Sequence, residues 1–287
     1  MQNPDISRPA EGAFIELASL IALRFPAAQL QLTKRNRALS NLAGPNKSNF
    51  RGRGIDFEEV RNYQPGDDIR TIDWRVTART GTAHTKLFRE ERERPVLVAV
   101  DQRSSMFFGS RFCFKSVLAA QLGALVAWSA LQGNDRVGGL VFNEAGHQDV
   151  RPKRSRRNVL ALLSLISEYN QRLPLNAGQD ASFADMITNL RRVARPGSSV
   201  YIVSDFRGAD GEGAREQLFE LAKHTEITAL SCTDPMESAL PRDGQYAVTD
   251  GRGRASLDTA DVRLRREFRQ RFEAARSQLS SDLLRLG

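Results

Sequence analysis

The chain changes texture near residue 95: from there on, short apolar runs alternate with longer segments of helical periodicity, whereas the stretch before it is polar and broken by turn residues. PVLVAVD, residues 95–101, is a continuous apolar run closed by a carboxylate, the pattern of a central parallel strand covered on both faces. Lys115 to Gln132 is apolar nearly all round and predicts a deeply packed helix. Asp135 to Asn143, DRVGGLVFN, predicts a second strand after a Gly-Asn-Asp turn. Helices are expected over Arg157 to Tyr169, with Leu160, Leu163, Leu165 and Ile166 on the buried side, and over Phe183 to Val193. SVYIVSD is a strand that again ends in an acid, Asp205; a helix from Ala214 to His224, the strand EITALSC and two extended pieces, QYAVTD and RASLD, follow. Strands alternating with helices imply βαβ units, hence an α/β fold of Rossmann-like type with a mostly parallel sheet and helices on both faces.

Outside this block the signals are more local. Residues 1–32 read as a polar arm and then an apolar, helical stretch that Pro26 ends or kinks. Residues 33–54 hold six Lys/Arg and no acid and read as a basic loop. Pro65-Gly66 marks a turn, Asp67 and Asp68 after it suit a helix N-cap, and the alternation from Thr82 to Phe88 predicts a strand. Around Trp74 the charges of Asp67, Asp68, Arg70, Asp73, Arg75 and Arg79 alternate in sign. Two readings fit them: an ion-pair and aromatic cluster buttressing the sheet edge, or a partner-recognition surface, since Trp and Arg are favoured interface anchors. At the other end Phe268, Phe272, Ala275, Leu279, Leu283 and Leu286 step by three or four, which predicts an amphipathic helix that docks on the body or on a partner. The expected organisation is an N-terminal extension at 1–94, the α/β domain at 95–257 and a C-terminal helix at 258–287.

Composition narrows the function classes. Hydrophobic residues at 40% and charged residues at 26% are those of a globular chain. The charge of +8 invites anionic partners, and RPKRSRR at 151–157 with the basic loop could track phosphates. Phe50 is the single aromatic in those runs, too few to stack successive bases, so nucleic-acid binding is not favoured. Cys113 and Cys232 have no CxxC spacing, and His84, His147 and His224 are scattered, which argues against zinc. Val117 to Leu131 is too short to span a bilayer, and Phe14 to Phe25 contains Glu16 and lacks a basic flank before it. A cytoplasmic protein is expected.

Ligands of open α/β sheets gather beyond the carboxyl ends of the strands, where strand order switches. Asp101 and Asp205 close two apolar strands at that edge, and the loop after Asp101 adds the hydroxyls of Ser104 and Ser105. Hard oxygen ligands of this kind suit Mg²⁺. The arrangement resembles the metal-ion-dependent adhesion site of von Willebrand A domains, whose first element is Asp-x-Ser-x-Ser and whose later acid Asp205 would match. Here the element reads Asp101-Gln102-Arg103-Ser104-Ser105, so Arg103 stands at the first serine, and Ser182 is the only hydroxyl near the place of the family's Thr. A guanidinium there would neutralise both carboxylates, and three outcomes stay open: Arg103 replaces the cation, Mg²⁺ binds more weakly at Asp101, Ser105 and Asp205, or the two acids merely cap their loops.

A broader resemblance covers about Gly54 to Asp258. YQPGDDIRTIDWRVTAR, KLFREERERPVLVAVDQRSSM, GNDRVGGLVF, VSDF and DPMESALPRDGQYAVTD, in that order, are similar to bacterial proteins of the domain of unknown function 58 family. The resemblance implies a von Willebrand A-like fold and an accessory role beside a MoxR-type AAA+ ATPase that remodels or matures a client protein. Partner contacts are expected at Arg103, Ser104, Ser182, Trp74, Arg70 and Asp73. Catalysis is not expected: there is no Gly-x-Ser-x-Gly elbow and no Walker A sequence. The enzymatic rival, a metal-dependent nuclease, would need three or four clustered acids where two are clear.

Overall fold

A computed structural model describes residues 11–30, 32, 55–90, 95–172, 182–241, 244–249 and 253–285. The chain forms two compact units: the described residues up to 32 belong with those from 95 onward, and residues 55–90 form the other. The extension expected at 1–94 is therefore divided. Its apolar stretch forms two short helices, α1 (Leu17–Ala22) and α2 (Arg24–Ala27), with Pro26 inside the first turns of α2, where its missing N–H leaves no intrahelical bond unmade. Leu20 and Ala27 are buried, and Leu20 O accepts a bond from the Trp128 indole at 3.1 Å, so these helices bury their apolar face in the α/β core. The basic loop at 33–54 lies outside the described residues.

In the smaller unit, β1 (Ile55–Asn62) pairs antiparallel with β2 (His84–Glu90). Asp68 caps a single 3-10 turn, Ile69–Thr71, and Asp73 caps α3 (Trp74–Thr80), which Gly81 ends in the left-handed conformation. Of the two acids after Pro65-Gly66, Asp68 thus serves as a cap, while Asp67 accepts from Arg61 and from Gln64 N instead; α3 and β1 were not legible, since neither has an apolar period of its own.

The larger unit continues with β3 (Pro95–Asp101), α4 (Lys115–Gln132), β4 (Arg136–Asn143), β5 (Gly146–Lys153), α5 (Arg156–Gln171), α6 (Phe183–Val193), β6 (Ser199–Ser204), α7 (Glu212–Ala222), β7 (Glu226–Ser231), α8 (Pro235–Ser238), β8 (Gln245–Thr249), β9 (Arg254–Asp258) and α9 (Val262–Arg285). A five-stranded sheet runs β5-β4-β3-β6-β7, parallel except for β5, which lies antiparallel on β4 at the edge. Alternate residues of β3 enter different cores, as a period of two requires. Val96, Val98 and Val100 pack with α1, α4 and α5; Leu97 and Ala99 pack with α6 and α7. Gly139 of β4 is needed for close approach, since a Cβ there would meet Val98 O at 2.4 Å. The fold is thus mixed α/β, with a mostly parallel sheet covered on both faces.

The expected pieces at the end of the chain form, but away from the main sheet or at its periphery. QYAVTD and RASLD do not join the main sheet; they form a separate hairpin, β8 with β9. α9 has no buried residue, although Leu279 packs against the second core and Asp282 pairs with Arg215 of α7 at 3.0 Å. Among the described residues no helix is long and apolar enough to cross a membrane.

Candidate functional site

The direction of strand order reverses at β3, with β4 on one side and β6 on the other, so the crevice of such a sheet lies beyond the carboxyl ends of β3 and β6. Val100 of β3 pairs with Val203 of β6, which brings Asp101 beside Ser204 and Asp205 one residue further on. The two acids expected to converge do so, through one basic side chain. Arg103 donates from its backbone N–H to Asp101 Oδ1 at 2.9 Å, from Nε to both carboxylate oxygens at 3.1 and 3.2 Å, and from Nη2 to Oδ2 at 2.8 Å. The same Nη2 donates to Arg207 O at 3.1 Å and lies 3.8 Å from Asp205 Oδ1. The guanidinium carbon sits 5.6 Å from the Phe142 ring and 5.7 Å from the Phe183 ring, so aromatic faces supply the rest of its surroundings.

A second cation completes the cluster. Lys115, the first residue of α4, donates from Nζ to Asp205 Oδ2 at 2.9 Å and to Glu237 Oε1 of α8 at 2.5 Å. It is 3% exposed. A helix N-terminus disfavours a cation, so the carboxylates hold the ammonium there in spite of the helix. Ser204 donates to Asp101 Oδ2 at 2.6 Å and accepts from Phe206 N at 2.9 Å. Phe206 itself has φ +58°, a strained value for a bulky residue, and this turns the loop so that its ring packs against Phe183 at 5.7 Å. Lys115, Ser204 and Glu237 escaped the sequence reading; the one signal was a lone lysine opening an otherwise apolar helix.

The remaining candidates divide. Ser105 has a buried hydroxyl with no hydrogen bond of ordinary geometry, although it lies close enough to Asp205 to favour that carboxylate's ionised form. Ser104 is exposed, and its N–H donates to Glu144 Oε1 at 2.5 Å, while Glu144 Oε2 is buried without a partner. Ser182 is a helix cap: it and Asp185 form a capping box at the start of α6. Trp74, Arg70 and Asp73 belong to the smaller unit. Asp73 is committed there to the N–H groups of Arg75 and Val76 and to Lys86 Nζ at 3.3 Å, so it is internal structure.

Burial pushes the Asp101 carboxyl up from the ordinary 3.8, against the pull of Arg103 and Ser204. Burial also opposes the charge on Arg103, yet Asp101 and Asp205 more than offset it and hold the guanidinium above its usual value. A guanidinium keeps its proton at any physiological pH, and its fork meets both Asp101 oxygens, so the cost of burial falls on Asp101. For Asp205, burial is outweighed by Lys115 and by the Arg207 N–H, and its carboxyl is held below the ordinary range. Burial, with Asp205 nearby, pushes the Cys232 thiol up to about 12.

A divalent ion needs oxygen ligands with free lone pairs. Both oxygens of Asp101 already accept from Arg103 and one also from Ser204, while Asp205 accepts from Lys115 and, at 3.0 Å, from Arg207 N. The residues in this arrangement do not fit Mg²⁺, because a guanidinium and an ammonium stand against the oxygens it would use. No group of three or more His, Cys, Asp or Glu placed to hold a metal occurs among the described residues. Beside Asp205 opens a cavity of about 1110 Å³ between the loop after β6, α7 and α9, with Phe206, Leu218, Phe272 and Leu279 in its walls.

The fold and site define a mixed α/β protein with a charge-compensated cluster at the switch point of its sheet. The chain belongs to the family described as protein of unknown function DUF58, whose model matches residues 59–278 and so takes in both units. The uncharacterized protein Rv1480 of Mycobacterium tuberculosis is 30% identical over 252 residues, 88% of this chain and 78% of its own length. The uncharacterized protein YeaD of Bacillus subtilis is 41% identical over 49 residues, which is 17% of this chain and 12% of that protein. Two solved structures overlap 67% of the chain: the conserved hypothetical protein BatB from Bacteroides thetaiotaomicron at 16% identity and TM-score 0.38, covered over 98%, and an aerotolerance-related membrane protein from Bacteroides fragilis at 15% and 0.40, covered over 99%.

Proposed function

We propose that the chain is a non-catalytic adaptor of the von Willebrand A kind, which docks a partner protein at the carboxyl edge of its sheet. The observation that carries this reading is the substitution of side-chain cations for a metal. Arg103 and Lys115 neutralise Asp101 and Asp205 from within, which removes the means of activating water and leaves a rigid polar edge. Ser104 is exposed on that edge, its backbone N–H held by Glu144 Oε1, and an exposed hydroxyl can meet a partner's hydrogen-bonding groups. The MoxR-type AAA+ ATPase that the family resemblance implies is the partner we assign, with this chain supplying specificity for a client. Cys113 and Cys232 are free thiols, in keeping with a reducing cytoplasm.

The test is co-expression of the tagged chain with a MoxR-type ATPase of the same genome, followed by quantitative co-purification. A complex is expected, and Ser104→Arg, a change on the exposed edge, should weaken it about tenfold or more. Equal recovery with the variant moves the interface elsewhere, and absence of a complex removes the assigned partner. Metal-stimulated cleavage of DNA or RNA that is lost in Asp205→Asn would replace the adaptor by a nuclease.

A further inference from the structure

In the hairpin unit the connection from β1 to β2 sorts its charges by sign. Asp67 accepts from Arg61 Nη2 at 2.7 Å and from Gln64 N at 3.0 Å. Asp68 accepts from Arg70 N at 2.9 Å, and Asp73 caps α3 and pairs with Lys86. All three acids are thereby turned onto their own backbone or onto strand residues. The arginines are not: Arg70, Arg75 and Arg79 are exposed, and none has an acidic partner among the residues whose side chains are described. Between them stand Ile69 and Trp74, 65% and 67% exposed. Arg75 and Arg79, four residues apart, share one face of α3, and Trp74 opens the helix on the adjoining face.

This exposure is built in. The segment is pinned to β2 by Asp73 N donating to His84 O at 2.8 Å, by the Thr71 and Thr85 hydroxyls at 2.6 Å and by His84 N donating to Thr77 Oγ1 at 3.0 Å. A large aromatic and a β-branched side chain held in water, ringed by one sign of charge, have the composition of interface anchors. We propose that Ile69, Arg70, Trp74, Arg75 and Arg79 form a second docking surface, which takes an acidic peptide segment bearing an apolar side chain. Carboxylates of the segment pair with the three guanidinium groups, for which their planar forks are suited, and the apolar side chain covers Trp74 and Ile69. A single-stranded nucleic acid fits less well, because stacking of successive bases needs further aromatic platforms and an aliphatic side chain stands beside the indole instead. The inference extends the partner-binding reading to a different surface, and it removes Asp73 from the contact set.

Trp128 is 3% exposed, so Trp74 is the solvent-facing one of the chain's two tryptophans and its emission reports on this surface. The experiment titrates the full chain with a short peptide of Glu-Glu-Leu repeats, the matching Gln-Gln-Leu peptide and oligothymidylate. The acidic peptide should change the emission saturably, and the joint variant Arg70→Gln, Arg75→Gln, Arg79→Gln should weaken binding about tenfold or more, as should Trp74→Ala read by calorimetry. Circular dichroism of each variant should match that of the parent chain, as expected of exposed changes. Ser104→Arg should leave peptide binding untouched, which separates this surface from the sheet edge. No saturable binding, equal binding of the Gln peptide, or tighter binding of oligothymidylate each overturns the proposal.

Discussion

Two clusters made of the same residue types, Asp and Arg a few positions apart, end in opposite states. At the sheet edge Asp101 is wholly buried and Arg103 is 8% exposed, so each charge has lost its water and depends on the other. In the smaller unit the acids are absorbed, Asp68 and Asp73 as caps and Asp67 by Arg61 and Gln64 N, while Arg70, Arg75 and Arg79 stand in solvent. The spacing Asp-x-Arg occurs in both, at Asp101-Gln102-Arg103 and at Asp73-Trp74-Arg75, and burial alone decides what it does. A buried pair leaves an uncompensated charge when one member is removed, whereas an exposed arginine returns nothing to folding and is free to meet a partner.

The two tryptophans allow the comparison to be broken cleanly, because Trp74 lies in the hairpin unit and Trp128 in α4 of the larger one. The largest expected effect is at the buried cluster. Lys115→Met, or Arg103→Met, should destabilise the larger unit by about 3–5 kcal/mol in urea unfolding followed through Trp128, because a desolvated carboxylate loses its partner. Pairing Arg103→Met with Asp101→Asn should recover much of that loss; a single-variant cost under about 1 kcal/mol would show that the charges are not mutually dependent.

Acidification should separate the acids next. The Asp205 carboxyl is held below its ordinary 3.8, so its contribution is fully present above that pH and is lost as pH falls through the lower folded value. Asp101 has the opposite sign: its raised value means that protonation on acidification relieves a burial cost. Stability of the larger unit measured between pH 5 and 2 should therefore fall less steeply in Asp205→Asn than in the parent chain. An unchanged slope would assign the acid limb to other carboxylates, with Asp234 the next candidate because Ser110 also holds it low.

The same contrast explains what could be read in advance. α4 and α6 match expectation at both ends, Lys115–Gln132 and Phe183–Val193, because the nearly continuous apolar length of the one and the apolar period of the other are local signals. β5 carries almost no apolar alternation and exists because β4 offers it an edge, so GHQDVRPK gave no sign of a strand. Asp101, Arg103 and Asp205 were legible as strand ends and their loop. Lys115 and Glu237 were not, since 122 positions separate them and only the packing of α4 and α8 brings them together. Ser182 is a site candidate only on the resemblance to the family's Thr, whereas its hydroxyl is spent capping α6.

The smallest effects sharpen the hairpin side. Asp73→Ala removes the cap from α3, where its carboxylate accepts from Arg75 N and Val76 N, and should destabilise the smaller unit by about 1 kcal/mol when unfolding is followed through Trp74. Arg75→Gln, two residues away, should change that unit by no more than about 0.5 kcal/mol, since an exposed side chain without an acidic partner has nothing to lose on folding. The order of these two values is the measurement that matters. If Arg75→Gln were as costly as Asp73→Ala, the arginine would be part of the unit's internal framework, and the division between buried pairs that hold the fold and exposed charges kept for a partner would fail in the hairpin.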